Sequence, residues 1–98
     1  MSVRERDVEG YLVNRIEELG LKCIKFMPDL INGMPDRLIL MSDRRVVWVE
    51  LKTKGGSLSE IQRYRHHELE KQGHVVEIVW TKDQVDDLCR RLKKEMTS

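Results

Sequence analysis

Two β-rich runs constrain this chain most: Arg37-Leu38-Ile39-Leu40-Met41 and Val46-Val47-Trp48-Val49-Glu50-Leu51. Only Ser42-Asp43-Arg44-Arg45 separates them, so a hairpin is the natural connection and the runs pair antiparallel. A turn centred between Asp43 and Arg44 sets Asp36, entering the first strand, opposite Glu50 or Leu51, leaving the second. Residues two apart in a strand share a face, so Glu50 and Lys52 point the same way. The hairpin thus gathers two carboxylates and one ammonium at one end. A register slip of one residue would flip the set.

The rest of the chain supplies elements to cover such a hairpin. Val8, Leu12, Ile16 and Leu19 form an apolar stripe at helical spacing from about Glu5 to Leu19, and Gly20 ends it. Lys22 to Phe26 reads as a short strand, followed by a loop through Pro28, Asn32, Gly33 and Pro35. Thr53-Lys54-Gly55-Gly56 breaks the β pattern. Ser57 with Glu60, and Ser59 with Gln62, both have capping-box form, so a helix starts near Leu58 and ends at Gly73. His74 to Trp80 is a further strand. Thr81 or Asp83 caps a last helix with Val85, Leu88, Leu92 and Met96 as its stripe. The order αβββαβα predicts an α/β fold, a mixed sheet with helices packed on it.

Composition narrows the class. A chain of 98 residues suits one domain, taken as 1–98. Lys and Arg number 18 against 17 Asp and Glu, for a net charge of +1. The 40% hydrophobic content argues against a disordered tail. A nucleic-acid surface would have to come from local clustering of the cations, not from overall charge. No apolar run approaches the ~20 residues that span a bilayer, and neither end carries a signal peptide or a lipidation motif. No membrane partner is expected. Cys23 and Cys89 are too few and too far apart for a metal knuckle or a disulfide scaffold. They read as buried thiols of a cytoplasmic protein.

Two acids forced together repel, and a divalent cation resolves the conflict. Mg²⁺ takes oxygen ligands, commonly one or two carboxylates with water and substrate phosphate. It makes hydroxide available near neutral pH and stabilises charge on a phosphoryl oxygen. Lys52 is suited to orient the attacking water or to stabilise the charge that builds on phosphorus. The constellation fits phosphodiester hydrolysis with Mg²⁺ or Mn²⁺. The competing reading is an ordinary surface ion pair at a strand end.

Gly33-Met34-Pro35-Asp36-Arg37, then Glu50-Leu51-Lys52, then Gln62, resembles the VRR-NUC (virus-type replication-repair nuclease) family of the PD-(D/E)xK nuclease superfamily. The likeness runs from the first helix to about Trp80 and includes the element order, similar to the restriction-endonuclease-like αβββαβ core. It implies a catalytic set of Asp36, Glu50, Lys52, Gln62 and an acid from the first helix. Asp36, Glu50, the backbone carbonyl of Leu51 and the helix acid would hold the metal. Glu9 is the preferred helix acid and Glu5 the alternative; both project near the Val8-Leu12-Ile16 stripe. Gln62 has a second reading, as the cap partner of Ser59.

Substrate contacts are assigned to Arg37, Lys54, Arg63 and Arg65, which flank the proposed site and could neutralise phosphates. Arg90, Arg91, Lys93 and Lys94 form a second basic cluster, diluted by Asp86, Asp87 and Glu95. His66 and His67 lack a further His or Cys at ligand spacing and read as exposed or phosphate-contacting. Trp48 reads as core. The resemblance implies an endonuclease of bacterial or phage origin acting on branched DNA. A small chain without accessory DNA-binding domains would act as a homodimer, whose two-fold axis suits the symmetric cuts of a four-way (Holliday) junction. Leu30, Ile31, Met34 and the last helix are candidates for the dimer surface. Flaps, nicked or linear duplex are alternative substrates. A non-catalytic DNA-binding module would show loss of an acid or of the lysine, and none is lost.

Overall fold

The computed structural model describes residues 4–27, 31–53 and 55–97. Seven elements follow in order: α1 (Glu5–Glu18), β1 (Lys22–Lys25), β2 (Arg37–Leu40), β3 (Val46–Leu51), α2 (Glu60–Lys71), β4 (Val75–Val79) and α3 (Lys82–Met96). The strands form one sheet in the order β1-β2-β3-β4. β1, β2 and β3 pair antiparallel, whereas β4 joins β3 in parallel after the α2 crossover. The sheet is therefore mixed, as the element order predicts.

Register is what places the site. Arg37 faces Val49 and Leu38 faces Trp48, so Asp36 stands one step further on, level with Glu50. The hairpin turn explains this alignment. Arg44 takes a left-handed conformation (φ 75°), and the Asp43 carboxylate accepts from the Arg45 backbone N–H at 3.1 Å and from its guanidinium at 2.6 Å. An acid that bonds its own turn two residues on closes such a loop without help from the core.

Strand alternation sorts β3 between two layers. Val47, Val49 and Leu51 join the main core with Val8, Leu12 and Ile16 of α1 and Val85, Leu88, Cys89 and Leu92 of α3. Trp48 and Glu50 face the opposite side, where α2 lies and His66 meets Glu50. β3 is thus covered on both faces and buried from Val47 to Leu51. A carboxylate in that position must find a partner.

Element ends follow local chemistry. Of the two capping boxes legible in the sequence, the one that forms pairs Ser59 with Gln62: Ser59 Oγ accepts from the Gln62 N–H, and Gln62 Oε1 accepts from the Ser59 N–H. α2 accordingly begins at Glu60 rather than near Leu58. Thr81, not Asp83, caps α3 through the same reciprocal arrangement with Gln84. The buried stripe of α3 uses Cys89, while Met96 stays partly exposed. That stripe is spent on the core, which leaves α3 little apolar surface for a dimer contact. Among the described residues no helix is long and apolar enough to cross a membrane.

Candidate active site

Asp36 is held from two sides. Its backbone carbonyl accepts from the Phe26 N–H at 2.9 Å, which ties it to the end of β1. Its Oδ2 accepts from the Leu51 N–H at 2.8 Å, which ties its side chain to the end of β3. Here the carboxylate does what a backbone carbonyl would do one step along the ladder. In an extended strand the N–H and C=O of one residue leave on the same side. The Leu51 carbonyl therefore emerges beside Asp36, while the Lys52 N–H turns away to the Val79 carbonyl at 3.0 Å.

The loop before Asp36 is clamped by α2. Gly33 has a left-handed φ of 85°, and a Cβ there would fall 2.5 Å from the Ile61 carbonyl oxygen. Only glycine allows this approach. Arg65 completes the clamp by donating to the Asn32 carbonyl at 2.8 Å and to Glu68 at 2.8 Å. Pro35, next to Asp36, is buried.

Glu50 is 2% exposed, and its Oε1 lies 3.0 Å from Nε2 of His66, itself 4% exposed. A carboxylate only accepts, so Nε2 carries the hydrogen. Asp36 and Glu50 are within hydrogen-bonding reach of each other. Burial, then the contact with Glu50, pushes Asp36 up to about 7, against the opposing pull of the Leu51 N–H. Like charge on Glu5 adds to the rise. The end of the hairpin thus brings two carboxyls together, and Lys52, next in the chain, makes no ion pair among the described residues.

This geometry has counterparts. No family model matches the sequence. A curated relative, described as "Putative nuclease p44" of Acyrthosiphon pisum secondary endosymbiont phage 1, is 30% identical over 81 residues, spanning 83% of this chain and 87% of the relative. A solved structure described as a VRR_NUC domain superposes with a TM-score of 0.80 at 29% identity, covering 88% of this chain and 94% of the other. The chain belongs to the VRR-NUC nuclease family.

Within this VRR-NUC chain the structure joins some of the sequence-predicted residues and separates others. Asp36, Glu50 and the Leu51 backbone converge, and Lys52 follows directly on β3. Glu9 does not join them: its carboxylate is paired with the Arg37 guanidinium at 2.8 Å. Arg37 is engaged by that pair and by the Cys23 carbonyl, so both side chains already have partners. Glu5, one turn earlier, is the helix acid whose charge Asp36 feels. The Gln62 oxygen is committed to the Ser59 cap, and no hydrogen bond joins Gln62 to the acids among the described residues. Arg65 holds the Asp36 loop instead of facing solvent freely. Arg63 is exposed, whereas Lys54 and Leu30 lie outside the described residues. Ile31 is exposed and Met34 half-buried.

His66 is the correction of most consequence. The sequence predicts it exposed or on a phosphate, and the structure buries it against Glu50. Its spacing carried the signal: His66 and Leu69 are three apart, the two buried positions of α2. A histidine on the buried face of a helix needs a polar partner in the sheet beneath, and Glu50 is the acid there.

Among the described residues no three His, Cys, Asp or Glu side chains converge to hold a metal alone. The donors present are two carboxylates and a backbone carbonyl. They form an all-oxygen set suited to a hard cation that keeps several waters.

Proposed function

We propose that this VRR-NUC nuclease is a divalent-metal-dependent DNA endonuclease that cuts branched duplexes, four-way junctions foremost, as a homodimer. The observation that carries the assignment is the pair Asp36 and Glu50, held together by the Leu51 amide and His66 at the end of one hairpin. Two carboxyls in contact, one of them raised by burial and by its neighbour, are costly unless a cation is their partner. Mg²⁺ or Mn²⁺ would be held by Asp36, Glu50 and the Leu51 carbonyl. Glu5 or Glu9 would add a carboxylate through water, with Glu5 favoured because Glu9 is paired with Arg37. When bound, the ion supplies an acidified water and neutralises charge on the phosphoryl oxygens.

The chain's own groups do the rest. Asp36 and Glu50 fix the ion relative to the sheet. Lys52, which has no ion-pair partner among the described residues, donates to the attacking water or to a phosphate oxygen that gains charge. Arg63 and Lys54 provide phosphate contacts that orient the duplex without reading bases. Among the described residues no helix or strand is added to the αβββαβα order to enter a groove, which favours recognition of DNA shape over sequence. Each chain offers one such carboxylate pair among its described residues, and resolution of a junction needs two symmetric cuts. A dimer meets that need, and exposed Ile24 and Leu40 on the sheet supply apolar surface for it.

The test is cleavage of a labelled four-way junction beside linear duplex of the same sequence, in Mg²⁺ or Mn²⁺, by wild type and Glu50→Gln. Junction-selective cutting that needs the metal and disappears in Glu50→Gln is expected. Equal cutting of both substrates would remove the junction preference and keep the nuclease. Folded wild type that cuts neither would remove the endonuclease assignment.

A further inference from the structure

We propose that His66 is a positioning residue of the metal site: its Nε2–H fixes Oε1 of Glu50 so that the other carboxylate oxygen is presented to the ion shared with Asp36. This inference rests on the metal-dependent reading of the hairpin end. Its geometric basis is a 3.0 Å bond between two side chains that are 5% and 2% exposed. A glutamate at a strand end can rotate about its terminal bond and offer either oxygen. One oxygen bound to a buried ring removes that freedom and leaves the second for the ion, beside Asp36, whose carboxyl the neighbouring Glu50 helps to raise.

The same helix turn acts on the other acid. Arg65 and His66 are adjacent on α2 and therefore project about 100° apart. His66 reaches down to β3, while Arg65 reaches sideways to the Asn32 carbonyl and holds the loop that leads into Asp36. Gly33 lets that loop lie against the Ile61 carbonyl of the helix. One turn of α2 thus sets the spacing between the acids: one through a side-chain bond, the other through its loop. Partners that hydrogen-bond a metal's carboxylate ligands tune affinity, and losing one costs roughly 10–100-fold.

Three substitutions separate this role from simple burial of a polar group. His66→Gln keeps an N–H donor at about the reach of Nε2, His66→Asn keeps an amide that falls short, and His66→Leu removes the donor. Mn²⁺ binding is measured without DNA by calorimetry and by loss of the free-ion electron paramagnetic resonance signal. The Mn²⁺ dependence of cleavage and DNA affinity in EDTA follow, each on protein whose thermal melt shows it folded.

Wild-type-like Mn²⁺ binding is expected in His66→Gln. In His66→Asn and His66→Leu the Mn²⁺ affinity falls roughly 10–100-fold, DNA affinity in EDTA is unchanged, and cleavage recovers at high Mn²⁺. Equal Mn²⁺ affinity in the Gln and Asn variants overturns the proposal. So does an Asn variant that does not fold, since the bond is then a requirement of the fold. Asp36→Asn is the reference. If it binds Mn²⁺ as wild type does, or wild type binds none, the metal reading itself fails. If Asp36→Asn loses Mn²⁺ and His66→Leu does not, only the positioning role fails.

Discussion

Asp36 carries a proton at higher pH in the folded chain than in the unfolded one, and that difference has a sign. Its folded value of about 7 lies above the usual carboxylate range, chiefly because of burial and Glu50. Between the unfolded and folded values the native state binds more protons, so this group's stabilising contribution is complete below about pH 4. It is lost as pH rises through about 7. Without divalent metal, urea denaturation of wild type is expected to show falling stability from pH 5 to pH 8. Asp36→Asn should flatten that slope and be the more stable protein at pH 8, while cleavage drops by at least roughly 10²-fold. A slope unchanged in Asp36→Asn would show that another group is responsible. Lys52→Ala should lower kcat by roughly 10²–10³ with little change in KM, because its ammonium acts on charge that builds only during reaction; single-turnover rates at saturating Mn²⁺ decide this. Asp36, Glu50 and Lys52 were legible because strand alternation and one short turn determine where they fall. The partners of Glu9 and Glu50 were not. Helical spacing marks His66 as buried, but which residue of another element it or Arg37 meets is decided by packing between elements.

α2 connects the parallel strands β3 and β4, and it also braces both acids. Gly33→Ala tests the brace away from the chemistry. The new methyl would meet the Ile61 carbonyl at 2.5 Å and force a positive φ on a residue that disfavours it. A loss of roughly 1–3 kcal/mol in urea denaturation is expected. Cleavage should fall further than stability does, since the displaced loop carries Asp36. Activity at the wild-type level would show that the loop adjusts without moving the acid. The elements themselves were mostly legible, with ends displaced by a residue or two. The reason is visible at α2, where Ser57 and Ser59 each had a glutamate or glutamine three residues on. The sequence pattern alone does not choose between two such boxes. Backbone geometry does, because Ser59 has the extended conformation from which its oxygen reaches the Gln62 N–H. Gln62's role was ambiguous for the same reason: the residue that completes a cap also falls where the family places a site glutamine.

At the scale of the whole molecule, the decisive property is that one chain offers a single Asp36–Glu50 pair among its described residues. A junction held by two copies receives its two cuts from two separate pairs. Mixing tests this without knowledge of the interface. Wild type and Glu50→Gln, unfolded together and refolded at equal concentration, would pair at random, so about half of the dimers carry one working site. On a supercoiled plasmid that extrudes a cruciform, wild type is expected to give linear product in one encounter, because both strands are cut before release. Mixed dimers should cut one strand and release nicked circles. The nicked fraction in the mixture should therefore exceed that of wild type diluted twofold. If the mixture behaves like diluted wild type, each cut is made by an independent chain. Sedimentation at the assay concentration supplies the second arm: a monomer there would remove symmetric resolution while leaving the carboxylate pair, Lys52 and the nuclease fold intact.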